Sequence, residues 1–263
     1  MLGSVRPFLE KDNKRKSNMK RLLLLLLTVL STVACKKITT EERISQIADY
    51  FDKQENTFAG KLEGYEGTKR LDYLTLTLVK ELGADDIWTL ENGDGASLVA
   101  EFPGKSKQTE KFSVISASLD DPAGCTVALE VIQALKKLKI RPENGVRVLF
   151  YSLAQDSTGR TGLGAVAHEF AVSDEMITYD LELTACDSLA PRTFRVEDRP
   201  VFAKQLMELF PPYFEPLGDY HFEKGKFPNP NWPLRTTVYR YAVTPGELKK
   251  DAAAVTTFAY LLN

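Results

Sequence analysis

The sequence predicts an α/β fold, a three-layer sandwich in which a central mixed β-sheet lies between layers of helices. Segments with apolar residues at three- and four-residue spacing indicate helices, and they alternate with short apolar, β-branched segments typical of buried strands. This alternation favours helices packed on both faces of the sheet. Residues 41–263 are enough for a single domain with a sizeable core, preceded by a short polar tether at residues 35–40.

Periodicity and turn residues place the individual elements. The predicted helices cover residues 41–51, 68–82, 123–138, 162–170, 200–210 and 245–262. The predicted strands cover residues 97–102, 111–117, 146–153, 177–185 and 236–242. The first two strands flank the turn Pro103-Gly104-Lys105, which predicts a hairpin. Gly83 is placed to end the second helix, and Thr244 and Pro245 to begin the last one as N-cap and first helical residue. Residues 211–234 are rich in Pro, Gly and aromatic residues and are assigned to no element.

The N-terminal region has the layout of an export signal. Lys20 and Arg21 precede the apolar run Leu22–Leu30, and small residues then lead to Cys35. This order is that of a secretory signal peptide, and the apolar run is shorter than the roughly 20 residues of a membrane span. The ending resembles the lipobox of bacterial lipoproteins, in which the cysteine becomes the lipidated first residue. We expect residues 1–34 to be removed and the lipid on Cys35 to hold the exported protein at the periplasmic face of a bacterial membrane or at the cell surface; cleavage without a lipid is the alternative.

Composition narrows the classes of partner and cofactor. The formal net charge is −2 at pH 7 and no basic stripe runs through residues 35–263, which argues against a nucleic-acid partner. His168 falls on a predicted helix and His221 in the unassigned segment, so neither is expected to bind a metal. Cys125 and Cys186 either pair in an oxidising compartment or remain as two small buried thiols.

Polar side chains follow three predicted strands at the edge where ligand sites form in open α/β sheets. These candidate residues are Ser118, Asp120, Asp121, Gln155, Asp156 and Glu182. The four carboxylates could converge as one cluster. Three of them also have a structural explanation, because Asp121 before Pro122 is a good helix N-cap, Asp156 can shape a turn and Glu182 can point to solvent.

Five segments together carry a resemblance to a known family. They are Gly64–Arg70, Val114–Asp120, Asp121–Leu129, Val148–Asp156 and Tyr239–Pro245. In order, they resemble motifs of the M28 family of zinc-dependent aminopeptidases, which includes glutaminyl-cyclase-like proteins: the glycine-rich entry to the first long helix, the strand that ends in His-x-Asp, the Asp-(Asn/Asp)-Ala-Ser-Gly motif, the strand that ends in Glu-Glu, and the strand and turn with the last histidine. The resemblance covers residues 64–263 and implies a zinc-exopeptidase-like sandwich.

The resemblance also implies a site with two zinc ions, held by two histidines and three carboxylates, and a Glu as general base. Ser118 stands at the first histidine, and a serine hydroxyl is a poor zinc ligand beside imidazole. Gln155 stands at the general base, and an amide cannot accept a proton at neutral pH. The remaining correspondences are Asp121 for the bridging carboxylate, Asp156 for the ligand Glu, Glu182 or Thr184 for the third carboxylate, and Tyr239 or Tyr241 for the last histidine.

Because both histidines and the base are replaced together, we expect no zinc cofactor. Asp121, Asp156 and Glu182 would favour a hard ion such as Ca²⁺ or Mg²⁺ if they bound any metal. The favoured hypothesis is a non-catalytic, envelope-tethered module that binds a peptide or another envelope protein. One alternative is a hydrolase with a remodelled site, using either these carboxylates on a single metal or Ser118 as nucleophile. Another is a structural component that uses the aromatic residues of 211–232 as a contact surface, unless those aromatics complete the core.

Overall fold

The computed structural model of the protein describes residues 38–262, apart from residue 56 and residues 106–110, 173–175, 186–189, 198–199 and 226–235. The predicted export signal, Cys35 and Cys186 therefore lie outside the described residues. Within the part of the chain that is described, no helix is both long enough and apolar enough to cross a membrane. Contacts divide the chain into Met1–Arg43 and Ile44–Asn263, and the sheet belongs to the second unit.

The described helices are, in chain order, α1 (Thr40–Lys53), α2 (Ala59–Glu63), α3 (Gly67–Thr77), α4 (Pro122–Lys137), α5 (Gly162–Val172), α6 (Pro200–Lys204), α7 (Pro211–Phe214) and α8 (Leu248–Leu262). A π-helical turn, Leu78–Leu82, extends α3, and a second one, Gln205–Leu209, extends α6. Gly83 ends the extended α3 at φ 65°, the left-handed conformation expected of a glycine C-cap. Thr39 and Glu42 begin α1 with reciprocal bonds of a capping box, 3.1 and 3.0 Å long.

The described strands are β1 (Asp86–Asn92), β2 (Gly95–Phe102), β3 (Lys111–Ser118), β4 (Gly145–Tyr151), β5 (Met176–Ala185), β6 (Thr193–Glu197), β7 (His221–Gly225) and β8 (Thr237–Val243). They form one mixed sheet in the order β1-β2-β4-β3-β5-β8-β6-β7. The four central strands, β4, β3, β5 and β8, run parallel to one another. Their carboxyl ends therefore meet at one edge of the sheet.

Helices cover both faces of this sheet. On one face, α4 and α8 pack against each other and against β3, β5 and β8. On the other face, α5 packs over β1, β2 and β4. Each face has its own cluster of buried apolar side chains, so the sheet is the middle layer of the core. The predicted α/β sandwich with a mixed sheet is confirmed.

The predicted hairpin of residues 97–102 and 111–117 is wrong. Strand β2 pairs with β1 and β4, both antiparallel, whereas β3 lies between β4 and β5 as a parallel strand. The hairpin in this region is β1–β2, which turns through Gly93 and Asp94. Its first strand carries exposed polar residues at the sheet edge, and that pattern is too weak to predict a strand from sequence.

The last helix begins at Leu248, later than predicted. Thr244 is not its N-cap, because the carbonyl of Thr244 instead accepts the backbone N–H of Glu247 at 3.0 Å in a turn. Gly246 has φ 88°, a left-handed conformation that interrupts a right-handed helix. The turn places Asp251 in the first turn of α8, where its carboxylate accepts hydrogen bonds from Tyr241 and Thr244.

The aromatic residues of the unassigned segment pack into the core where they are described. Phe214 is fully buried and lies 5.3 Å from Phe194 between ring centroids. Phe222 stacks on Phe194 at 5.6 Å, and Phe194 stacks on Phe258 of α8 at 4.6 Å. Of the two alternatives for this segment, completion of the core is the one that these three contacts support. Phe227 and Trp232 lie outside the described residues.

Candidate functional site at the carboxyl edge of the sheet

A cleft of about 650 Å³ opens at the carboxyl ends of β3 and β4. Its walls are the start of α3, the β1–β2 turn, and the loops that follow β3 and β4. Of the predicted site residues, Asp120 lines the cleft and is exposed there. Glu91 and Asp94 also line it, so the cleft wall is acidic. A cleft of this size at this edge is a typical position for a ligand site.

The β1–β2 turn is locked against the loop that follows β4. Asn92 is almost fully buried and donates from Nδ2 to the carbonyl oxygens of Ala154 and Arg160. Gly93 has φ 58°, and a Cβ there would lie 2.4 Å from the carbonyl oxygen of Gln155. The glycine is therefore required both by its backbone conformation and by this close approach. The wall of the cleft is thus pre-formed.

Asp121 caps helix α4, as the structural explanation of this residue predicts. Its Oδ1 accepts the backbone N–H groups of Ala123 and Gly124, at 3.0 and 3.1 Å. Its Oδ2 is buried and has no hydrogen-bond partner among the described atoms. Burial raises the pKa of Asp121, and the two backbone N–H groups oppose this shift. One oxygen of this carboxylate is therefore committed to the helix.

Arg70 places a second buried charge beside Asp121. Its side chain, on α3, is 6% exposed, and it donates from Nη1 to the carbonyl oxygen of Leu119. The positive guanidinium lowers the pKa of Asp121, against the larger effect of burial. Arg70 was not among the site residues predicted from the sequence, although its position on the helix indicates that it is buried. Arg70 lies four residues before Leu74 and eight before Leu78, on the buried stripe of α3, where a charged side chain requires a partner.

Asp156 is taken up by its own loop. Oδ1 accepts Thr158 N at 2.8 Å, Thr158 Oγ1 at 2.6 Å and Arg160 N at 2.9 Å, and Oδ2 accepts Arg160 Nε at 3.1 Å. These donors, led by the Thr158 hydroxyl, lower the pKa of Asp156. Gln155 beside it is exposed and pairs with Thr161 in an isolated bridge. The carboxylate at the position of the family's ligand Glu therefore shapes a turn.

Glu182 lies on the central strand β5 and is hydrogen-bonded to side chains of β8, its neighbour, and of β4, which is two strands away. Arg240 on β8 is directly opposite it in the parallel register and donates from Nε to Oε2 at 2.6 Å. Tyr151 on β4 donates its hydroxyl to Oε1 at 3.2 Å. The Glu182 side chain is 10% exposed and that of Arg240 is 30% exposed, so the ion pair is largely withdrawn from water. Burial, and then the negative charge of Glu182, raise the pKa of Tyr151, which stays a neutral donor.

The tyrosines at the position of the family's last histidine, Tyr239 and Tyr241, point into the core on the face of the sheet that α4 and α8 cover. Tyr239 is buried against Phe258, with ring centroids 5.0 Å apart. Tyr241 donates its hydroxyl to Asp251 Oδ1, and Thr244 N donates to Asp251 Oδ2 at 2.6 Å. Burial raises the pKa of Asp251 to about 6. These groups pack β8 against α8.

Ser118 ends β3 with backbone partners. Its Oγ accepts the backbone N–H of Asp120 at 3.2 Å, and its carbonyl oxygen lies 3.3 Å from the Sγ of Cys125. Cys125 is fully buried, and burial raises the pKa of its thiol. His168 on α5 and His221 on β7 are both exposed. The described contacts thus assign Ser118 to the turn that follows β3.

Solved structures with the same fold include hydrolases and a cyclase. The chain is 13% identical to the glutaminyl cyclase of Macrostomum lignano, covering 83% of this chain and 92% of that chain, with a TM-score of 0.60. It is 16% identical to the LapA aminopeptidase of Legionella pneumophila, covering 87% and 72%, with a TM-score of 0.52. It is 17% identical to the peptidase M28 precursor of Shewanella amazonensis, covering 64% and 44%, with a TM-score of 0.52. No protein-family model and no curated protein sequence matches the chain.

The chain therefore has the fold of the M28-type exopeptidases and glutaminyl cyclases. This finding confirms the fold that the sequence resemblance implies.

The residues at the edge do not fit the zinc ions that this fold holds in the family. Among the described residues, no group of three or more His, Cys, Asp or Glu side chains could hold a metal ion. The carboxylates of Asp121, Asp156 and Glu182 are instead bonded to separate partners: a helix N-terminus, a turn and an arginine. The guanidinium of Arg240 lies 2.6 Å from Oε2 of Glu182. Its positive charge would repel a cation and would compete with it for this oxygen. The predicted candidates are thus not brought together into one metal site.

Proposed function

We propose that this chain is a non-catalytic domain of M28-type fold that is held at a bacterial membrane through a lipid on Cys35 and binds a peptide or another envelope protein in its carboxyl-edge cleft. The observation that carries the proposal is the ion pair of Arg240 with Glu182, because it commits to an arginine one of the two residues, Glu182 and Thr184, that could correspond to the family's third carboxylate ligand. The replacement of the general base by the amide of Gln155 supports the same conclusion.

The cleft supports the binding part of the proposal. Its wall is pre-formed by the buried Asn92 and the close approach of Gly93, so a ligand would not have to order it. Glu91, Asp94 and Asp120 give the wall a negative charge, which favours peptides with basic side chains or a free amino group. Proteins of one fold can have different functions when the residues of their sites differ, so this fold is consistent with a binding function without catalysis.

The catalytic part is tested on the purified mature chain, residues 35–263. We expect substoichiometric zinc by mass spectrometry of the metal content, and no turnover of aminoacyl-p-nitroanilides above that of an Asp156→Ala variant after incubation with zinc. Stoichiometric zinc together with turnover that this variant abolishes would contradict the proposal.

The anchor is tested on the full chain expressed in a bacterium. We expect incorporation of a fatty-acid label and recovery in the membrane fraction, and we expect Cys35→Ser to abolish both. Cys125→Ser is the matched control, since its thiol is buried and lies outside the export signal. Equal labelling of the Cys35→Ser variant would refute the anchor.

A further inference from the structure

A second cavity lies at the opposite end of β4 from the cleft. This basal pocket, about 550 Å³ in volume, is formed where the extended α3, the end of α4, the end of β2 and the loop before β4 meet. Its volume falls within the roughly 300–1,000 Å³ of small-molecule sites. None of the candidate site residues above lines it.

The floor of the basal pocket is apolar. The floor residues are Leu82, Phe102, Ile132, Leu135, Ile140 and Val146. They come from four elements of the fold and, for Ile140, from the loop after α4, and they belong to the main core cluster or pack against it. An apolar floor of this kind receives a hydrocarbon group and not a polar one, because a polar group would lose its bonds to water there.

The walls of the pocket are held in place by hydrogen bonds. Lys105 N donates to the carbonyl oxygen of Pro142 at 2.9 Å, which joins the loop after β2 to the loop before β4. Lys136 Nζ donates to the carbonyl oxygens of Glu81 and Leu82, both at 3.1 Å, which joins α4 to the end of the extended α3. The pocket is therefore a pre-formed feature of the fold.

The rim of the pocket is cationic. Among the described residues that line it, Lys105, Lys136 and Arg141 are cationic and Asp85 is acidic. Lys105 also lies 3.8 Å from Glu143, but both side chains are 60% exposed, so this ion pair is weak and a ligand can compete with it. The rim and floor together present positive charge above a hydrocarbon surface.

We propose that the basal pocket binds an anionic amphiphile, an acyl chain that ends in a carboxylate. The chain would lie on the apolar floor, and the carboxylate would reach the rim near Arg141, whose guanidinium suits a carboxylate. This site is separate from the carboxyl-edge cleft, so it stands or fails independently of the function proposed for that cleft.

The test is calorimetric titration of the mature chain with dodecanoate, with dodecanol and inorganic phosphate as comparison ligands. We expect dodecanoate to bind, and dodecanol and phosphate each to bind at least about fivefold more weakly, the size of one favourable charge interaction. Absence of dodecanoate binding would overturn the proposal. Equal binding of dodecanol would overturn the role of the rim, and equal binding of phosphate would reveal an anion site without the acyl chain.

Variants locate the ligand. We expect Arg141→Glu to weaken dodecanoate binding by at least about fivefold, since it removes one attraction and adds one repulsion. Lys137→Glu is the matched control, because Lys137, like Arg141, is exposed, lies on α4 next to Lys136 and does not line the pocket. Equal loss in both variants would show only a general charge effect. A diazirine-bearing dodecanoate should crosslink to the segments that line the pocket, residues 82–85, 102–105 and 132–146, and crosslinks confined to other segments would refute the assignment.

Discussion

The ion pair of Arg240 and Glu182 gives the sharpest test of how the sheet edge is held together. Replacing Arg240 by Met keeps most of its hydrocarbon volume and removes the charge that faces Glu182. Removal of one partner of a buried ion pair typically destabilises a protein by about 3–5 kcal/mol, because the other charge remains buried. Since Arg240 is 30% exposed, water can partly replace the guanidinium, and we expect a loss at the lower end, about 3 kcal/mol.

The assay is urea denaturation followed by circular dichroism, which gives the free energy of unfolding for each variant. A double-mutant cycle with Glu182→Gln isolates the interaction, and we expect the double variant to be less destabilised than the sum of the two single variants. Lys204→Met is the control, because Lys204 and Glu208 form an ion pair of 3.9 Å with both side chains more than 60% exposed. We expect a change of at most about 0.5 kcal/mol in this control. Additive losses in the cycle, or a loss in Arg240→Met no larger than in the control, would show that this ion pair does not stabilise the sheet.

Three further predictions follow from groups near the cleft and the last helix. Burial raises the pKa of Asp251 to about 6, so the folded state favours the protonated acid; stability is highest below the unfolded pKa and falls as the pH rises through 6. Relative to Asp251→Asn, the wild-type free energy of unfolding should fall by roughly 3 kcal/mol between pH 3.5 and 7.5 in urea titrations, and a constant difference would contradict this pKa. Gly93→Ala should lower the free energy of unfolding by at least about 2 kcal/mol, because the backbone of Gly93 is left-handed and a Cβ there would meet the carbonyl oxygen of Gln155. Gly60→Ala is the control, since Gly60 lies in a helix with open space around it, and it should be neutral or stabilising. Equal effects of the two substitutions would show that the turn at Gly93 is not tightly packed. Asp121→Ala should cost about 1 kcal/mol by loss of a helix cap, measured in the same way, and a stabilising effect would mean that its buried charge outweighs the cap.

The pattern of apolar residues predicted the layers of this fold, because helices and strands that are buried on one or two faces carry apolar residues on those faces. The central strands β4 and β5 and the helix α4 are buried along most of their length, and their predicted bounds lie within a few residues of those in the structure. Strand β1 is at the sheet edge and half exposed, so it carries no such pattern. Because β1 was not predicted, β2 was paired with β3, the next predicted strand along the chain. The observed pairing of β2 with β4 depends on contacts between residues that are distant in sequence.

The sequence predicted where in the fold the candidate site lies, but it did not predict how the side chains of the site are arranged. The strand order along the chain indicated the edge where Ser118, Asp156 and Glu182 follow or occupy their strands. It could not give the partners, because Arg240 meets Glu182 through the register of two strands that are 58 residues apart in sequence. An arginine between two buried tyrosines in an apolar strand is nevertheless a sequence signal, since a charge in that position requires a carboxylate partner.

We infer that groups of the protein, and not zinc ions, satisfy the carboxylates at this edge. The most direct measurement is the free energy of unfolding of the mature chain with excess zinc and with a chelator. A ligand that binds only the folded state stabilises it by about 2.7 kcal/mol at a hundredfold excess over its Kd. We expect the same free energy of unfolding under both conditions. A zinc-dependent increase that is lost in Glu182→Gln would instead show that zinc binds at these carboxylates.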